Sequence, residues 1–298
     1  MAKKARDPIS LAVIGGSGLY AMEGLSDVEE LSVKTPFGAP SDAIVTGVLA
    51  GQRVAFLARH GQGHRLTPGE VPYRANIFAL KALGVERVVS ISACGSLREH
   101  LHPGDVVIPS QVYDNTKSRA NTFFGRGLVA HVGVADPFCP QLSACLAEAV
   151  EQAGGTLHRG GTFVTIEGPR FSTKAESYAF RQLGFDIIGM TTSPEAYLAR
   201  EAELCYAVMA HISDYDVWHE SESPVTVEMV IRILNQNVQL VKLAVAAVLD
   251  KLAGASRQCE CGDALATAVI TCSDKVPAKL KRELAPIIGK YLPARTKA

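Results

Sequence analysis

Asp214 and Asp216 stand one residue apart at the end of an apolar run, Leu204 to Ser213, that reads as a buried β-strand. In open α/β sheets, ligands lie beyond the carboxyl ends of the strands. Two carboxylates there can accept hydrogen bonds from an exocyclic amine, and a carboxyl that keeps its proton can donate to a neighbouring ring nitrogen. This pattern fits the edge of a 6-aminopurine and makes one of the pair a candidate general acid. The competing role is capping of the next helix. Val217-Trp218-His219-Glu220 starts no obvious helix, however, and Thr226 suits that cap better.

Other strand ends carry groups suited to an anion. Gly15-Gly16-Ser17-Gly18 follows a short apolar strand, Ile9 to Ile14. Its backbone N–H groups and the Ser17 hydroxyl can form an anion nest. A plain strand-exit turn and a dinucleotide fingerprint are the rival readings. The fingerprint wants a long helix after the glycines, and the stretch from Ala21 to Glu30 is short, acidic and interrupted by Gly24. Arg59-His60 leaves the strand Gln52 to Ala58. Arginine suits bidentate contact with phosphate oxygens, and His60 can donate one more bond. Ser90, Ser92-Ala93-Cys94-Gly95-Ser96 and Met190-Thr191-Thr192 add hydroxyls and backbone donors at further exits. Glu167-Gly168-Pro169-Arg170 makes a turn, and Phe171 beyond it can stack on a base or pack in the core.

The elements that hold these groups alternate along the chain. Helical spacing covers Tyr73 to Leu83, Pro140 to Ala153 and Pro194 to Glu203, while Thr173-Lys174-Ala175-Glu176 matches a capping box. Strands are expected over Val85–Ser92, Val106–Ile108, Gly161–Ile166 and Phe185–Met190. The longest helix runs from Thr226 to about Asp250 with a stripe of Val227, Val230, Leu234, Val238, Val241, Val245 and Val248. The alternation implies one α/β domain, residues 9–253, with a central mixed and largely buried sheet flanked by helices. Residues 1–8 read as a polar tail. Residues 254–298 read as a partly helical appendage that packs on a neighbour or is mobile.

Bulk properties narrow the partners. The 298 residues carry 30 Lys+Arg and 30 Asp+Glu, so no net charge draws nucleic acid. No apolar run is long enough to span a bilayer. Seven cysteines without a secretory signal favour reduced thiols in the cytoplasm. Cys259-Glu260-Cys261 has Cys272 further on but neither a second close pair nor nearby histidines, so no metal site is expected.

Taken in order, Val13–Leu19, Ala58–Gly61, Asn76–Leu80, Ala93–Arg98, Pro103–Asp105, Asp136–Pro140, Thr165–Ser172, Gly189–Thr192 and Ser213–Asp216 carry motifs that strongly resemble the S-methyl-5′-thioadenosine phosphorylases, within the trimeric purine nucleoside phosphorylase family. The resemblance covers about residues 9–250. It implies phosphate binding by Ser17, Arg59, His60, Ser92, Ala93 and Thr191. It puts Met190 under the ribose, Phe171 and Ser172 beside the purine, Asp214 and Asp216 at its N6/N7 edge, and Val227 at the 5′ substituent. It makes His131 a residue that reaches the ribose end of a neighbouring subunit's site, which implies a homotrimer or a dimer of trimers. The activity it implies is phosphate-dependent cleavage of S-methyl-5′-thioadenosine, with Asp214 as the acid, inorganic phosphate as co-substrate and no cofactor. The alternatives are a phosphorylase for 6-oxopurine nucleosides or methylthioinosine, a nucleotide-binding module without turnover, and a NAD-dependent dehydrogenase.

Overall fold

The strands are apolar at consecutive positions because both faces of their sheet are covered. In β1 (Leu11–Gly15), Leu11 and Val13 enter one hydrophobic cluster while Ala12 and Ile14 enter another. This is the period-two alternation of a pleated strand. The computed structural model describes residues 8–16, 22–220 and 225–292, and the side chains of 234–236 lie outside the described set. Ser17 therefore falls outside the described residues.

The remaining strands are β2 (Ser26–Leu31), β3 (Ile44–Leu49), β4 (Gln52–Ala58), β5 (Arg87–Ser96), β6 (Val106–Ile108), β7 (Gln111–Asn115), β8 (Leu157–Arg159), β9 (Thr162–Ile166), β10 (Ile187–Gly189) and β11 (Cys205–Asp214). The helices are α1 (Tyr73–Ala82), α2 (Pro140–Gln152), α3 (Lys174–Gln182), α4 (Thr192–Glu201), α5 (Val227–Leu252), α6 (Ala278–Glu283) and α7 (Ala285–Ile288). One mixed sheet runs β2-β3-β4-β1-β5-β10-β9-β7, and β5 also pairs with β11, which leads through β6 to β8. The expectation of a mixed, buried sheet between helices holds.

β5 is the hub. β1 pairs with it at Val88–Ser90, β11 runs parallel to nearly all of it, and β10 meets Gly95 and Ser96 antiparallel. The strand continues past Ser92, where the sequence suggested an exit. Ser92 and Ala93 are therefore strand residues rather than a turn. Small residues with low strand propensity are held extended here by partners on both sides. Because β4, β1, β5 and β11 are parallel neighbours, their carboxyl ends share one side of the sheet.

Helices α1, α4 and α7 cover one face through Ile77, Leu198, Ile287 and their neighbours. Helices α2 and α5 cover the other through Leu146, Val245 and Val248. Among the described side chains of the α5 stripe, only the later ones, Val241, Val245 and Val248, are buried. Val230 and Val238 are half-buried, Val227 is 62% exposed, and the side chain of Leu234 is outside the described set. Among the described residues, the segment after residue 253 is partly helical and packs on the core. Leu265, Leu280, Leu284, Ile288 and Leu292 belong to the same core cluster as α1 and β11. Among the described residues, no helix is long and apolar enough to cross a membrane.

Candidate active site

The carboxylate pair is built by a bulge. β11 stays in register with β5 up to Ile212, skips Ser213, and resumes with Asp214 opposite Gly95. A bulge of this kind re-aims the side chains at a strand's end. Any Cβ on Gly95 would sit 2.9 Å from Asp214 Oδ1 and 3.2 Å from the Asp216 Cβ, so glycine is required beside the pair. Asp216 takes a left-handed backbone, φ +53°, which aspartate tolerates better than most residues. Its N–H donates to Asp214 Oδ1 at 2.7 Å, and its carbonyl accepts from Val225 N–H at 3.3 Å. The start of α5 is thereby tied to the carboxylate loop, two residues before Val227. Beneath the loop, Trp218 Nε1–H donates to the Ser96 carbonyl at 2.7 Å.

Both carboxyls are buried, at 3% and 6% exposure. Burial pushes the Asp214 carboxyl up to about 6, with a further push from the charge of Asp216, against hydrogen bonds from Ser213 and Asp216 N–H. Burial also raises the Asp216 carboxyl, opposed by the Ser177 and Ser172 hydroxyls. No hydrogen bond of good geometry reaches Asp216 Oδ2, Ser172 Oγ or Ser177 Oγ. Ser213 lies between two acceptors, Asp214 Oδ2 at 2.6 Å and the Cys94 carbonyl at 3.2 Å. Its one proton serves Asp214 when that group is ionised. When Asp214 is protonated, Asp214 can donate to Ser213 Oγ, and Ser213 to Cys94. The serine thus suits both protonation states.

The anion side is arranged differently from the expectation. Arg59 is 3% exposed and its fork is engaged with Glu195, Nε and Nη2 each bonding a carboxylate oxygen at 2.9 Å. Nη2 also donates to Ser90 Oγ at 2.5 Å and Nη1 to the Ile91 carbonyl at 3.0 Å. Tyr206 holds Glu195 from the far side at 2.7 Å. Four of the five guanidinium N–H bonds are taken, so bidentate binding of phosphate by Arg59 is corrected to at most one remaining Nη1–H. His60 is corrected as well. Its Nδ1 faces the Leu66 carbonyl at 2.8 Å, and burial with the nearby Arg59 charge lowers its pKa to about 4. The neutral ring therefore carries its proton on Nδ1 and offers Nε2 as an acceptor, not a donor.

Ser92 and Thr191 do come together, their hydroxyls 3.4 Å apart and both buried. Thr191 precedes α4 without capping it, which leaves its hydroxyl available, and Thr192 Oγ1 and Ser193 Oγ beside it are buried without partners. Ala93 is adjacent in β5. Met190 is half-buried, with Sδ 2.6 Å from where a Cβ on Gly168 would lie. Phe171 is half-exposed and joins none of the hydrophobic clusters, so the core-packing reading fails. Two residues of the expected site are exposed, unlike the buried carboxylates and hydroxyls. Val227 lies exposed at the start of α5. His131 is exposed in a segment whose backbone pairs with Ala268 and Val269.

Sequence reasoning missed Glu195 and Arg119. Glu195 is fully buried in α4, and its signal would have been a charge on that helix's apolar side. Arg119, in a polar loop without periodicity, gave none. Its Nη1 donates to the carbonyls of Met190 and Ser193 at 2.6 and 2.7 Å. Its Nη2 reaches the carbonyls of Glu167 and Ile166 at 2.6 and 3.3 Å.

Away from the strand ends, the sulfurs of Cys139, Cys205, Cys259 and Cys261 lie within 4.8 Å of one another. The close cysteine partners that the sequence around Cys259 and Cys261 does not offer come from earlier parts of the chain, Cys139 and Cys205.

A family model described as the phosphorylase superfamily matches residues 10–250. The chain is 54% identical over 283 residues to the S-methyl-5′-thioadenosine phosphorylase of Geobacter sulfurreducens, covering 95% of this chain and 99% of that one. A methylthioadenosine phosphorylase from an Antarctic soil metagenomic library superposes with a TM-score of 0.91 at 48% identity, covering 95% of this chain and 99% of that one. A variant adenosine/methylthioadenosine phosphorylase from Schistosoma mansoni, solved with methylthioadenosine, superposes with a TM-score of 0.77 at 36% identity, covering 83% and 92%.

Proposed function

The chain belongs to the phosphorylase superfamily, and from that premise we propose that it cleaves the N-glycosidic bond of S-methyl-5′-thioadenosine with phosphate, releasing adenine and 5-methylthioribose 1-phosphate. The observation that carries this reading is the buried Asp214–Asp216 pair on the same side of the sheet as the Ser92–Thr191 hydroxyls. A proton donor for a purine and a cradle for an anion then flank a space for a ribose. No cofactor is needed, and phosphate is the co-substrate.

A phosphate oxygen attacks C1′ as the C1′–N9 bond breaks, and the bonding pair passes into the purine. Positioning and charge dominate such a reaction. Ser92, Thr191, backbone groups near Ala93, Ser17 and the last Arg59 N–H hold the anion. His60 Nε2 accepts from the protonated oxygen of hydrogen phosphate. Asp214 gives its proton to N7, and Ser213 turns toward it as it ionises. Asp216 accepts from the N6 amine. Phe171 and Ser172 flank the base, and Met190 lies under the ribose. Val227 meets the methylthio group, and His131 reaches the ribose of a neighbouring subunit in a homotrimer or a dimer of trimers. The reaction runs in the cytoplasm, consistent with seven free cysteines.

The test is a base-release assay with and without phosphate on methylthioadenosine, adenosine, methylthioinosine and guanosine. Adenine release from methylthioadenosine that needs phosphate is the expected result. Equal release without phosphate makes the protein a hydrolase, and preference for the 6-oxopurines removes the N6 assignment.

A further inference from the structure

Four sulfurs converge where three separated stretches of chain meet. Cys139 caps the N-terminus of α2, with Sγ accepting from Leu142 N–H at 3.4 Å. Cys205 opens β11, and the Cys139 N–H donates to the carbonyl of the next residue, Tyr206, at 2.8 Å. Cys259 and Cys261 come from the C-terminal arm, one on each side of Glu260. All four are free thiols and three of them are buried. Cys205 and Cys259 sulfurs are 3.3 Å apart, and all four lie within 4.8 Å of one another. A tetrahedral zinc with bonds of about 2.3 Å needs sulfurs about 3.8 Å apart. The observed cluster brackets that value.

The surroundings suit a charged centre. Four thiolates on a divalent ion leave a net double negative charge. The Arg200 Nη1 donates to Cys261 Sγ at 3.6 Å. Arg257 pairs with Glu86 at 3.4 Å and faces Cys205 and Cys259. Guanidiniums placed this way offset a tetrathiolate and orient its sulfurs. The arm is held in place independently of the thiols, through Gln258 N–H to Gln141 Oε1 at 3.0 Å and Arg257 Nη1 to the Glu203 carbonyl at 3.0 Å. A cavity of about 470 Å³ lined by Cys259, Cys261 and Arg200, and another of about 280 Å³ lined by Cys139 and Cys205, give an ion routes in.

We propose that Cys139, Cys205, Cys259 and Cys261 form a structural zinc site that staples the C-terminal arm to the roots of α2 and β11. On binding, four S–H bonds lose their protons to solvent and four Zn–S bonds form. With all four positions taken by protein, the ion has no open site for catalysis.

The test uses the full-length protein, purified under reducing conditions and reconstituted with zinc chloride, then dialysed and measured by mass spectrometry for metals. About one zinc per chain is expected, falling roughly tenfold or more in the Cys259→Ser/Cys261→Ser variant. Reconstitution with cobalt(II) alone on the unsubstituted protein is expected to give the thiolate-to-metal charge-transfer and d–d absorption of a tetrahedral sulfur site, a readout that does not depend on any variant folding. Zinc well below one equivalent, with every thiol still titratable, overturns the proposal. So does a mass lighter by four hydrogens, which marks two disulfides, or iron in place of zinc.

Discussion

Asp214 sits at the balance between two protonation states, and both its stability effect and its chemistry follow from that. Burial raises its carboxyl from an ordinary 3.8 to about 6. Between those values the folded protein binds more protons than the unfolded chain. Stability therefore falls as pH rises through the window and stays flat above it. The shift corresponds to about 3 kcal/mol. Asparagine fits the same contacts, accepting from Asp216 N–H and donating to Ser213 Oγ, and it never ionises. Asp214→Asn is expected to be more stable than the parent at pH 8 by about 1–3 kcal/mol, with the advantage gone near pH 4. Its kcat on methylthioadenosine is expected to fall by roughly two to four orders of magnitude, the usual worth of a general acid. Urea titrations at the two pH values and steady-state rates check both halves. A variant that is less stable at pH 8, or that keeps its rate, removes Asp214 from the acid's role. The carboxylate pair was legible in the sequence because a strand exit and a spacing of two are local facts. The neutral, accepting His60 was not, since its tautomer is set by the Leu66 carbonyl six residues away.

At the scale of elements, Arg119 ties the exits of β9 and β10 to the start of α4. Its side chain is 2% exposed, and it donates to the carbonyls of Ile166, Glu167, Met190 and Ser193 while pairing with Glu167 at 3.4 Å. Those carbonyls belong to the segment that leads to Phe171 and to the segment that holds Thr191, so Arg119 links the two stretches proposed to carry the base and the anion. Arg119→Met removes the donors that Arg119 supplies to the four carbonyls and leaves Glu167 held only by the Lys117 and Ser118 N–H groups. It is expected to lower stability by about 3 kcal/mol or more and kcat/KM by roughly a hundredfold, while Arg119→Lys, with fewer donors, falls between. Urea unfolding beside kcat/KM for both variants checks this. A kcat/KM within twofold of the parent in Arg119→Met ends the positioning role. The sequence could not reveal this tie, because four carbonyls and the Tyr73 hydroxyl converge on Arg119 from three distant segments. Strands β1, β4 and β11, helices α1 and α2, and the Thr173 capping box were readable, since each rests on periodicity or a short motif. The continuation of β5 to Ser96 was not, because only β10 and β11 hold Ala93-Cys94-Gly95 extended.

Across the whole molecule, the exposure of His131, on a segment paired with the C-terminal arm, is the fact that bears on assembly. His131 is exposed, and Val129 and Ile270 beside it are 43% and 61% exposed and joined through the Ile270 N–H to the Val129 carbonyl. Two exposed apolar side chains side by side are a small patch, of the kind that a neighbouring molecule can cover. Val227, 62% exposed at the other end of the proposed substrate, likewise has space beside it for a ligand or a neighbour. The C-terminal arm supports the His131 segment from below through Ala268 and Val269, so a stretch that looked peripheral in composition shapes this surface. If His131 serves the site of the next chain around a ring, the two halves of a site belong to different subunits. His131→Ala and Asp214→Asn are each expected to be slow, the former by roughly tenfold or more. Co-expressed in equal amounts, they are expected to recover about a quarter of the parent activity, since about one site in four then combines an intact Asp214 with an intact neighbouring His131. If both residues served the same chain, no mixed site would be whole and the mixture would stay as slow as its parts. Sedimentation of the same samples as three or six chains, together with recovered adenine release, supports the shared site. A monomer, or a mixture without recovery, removes it.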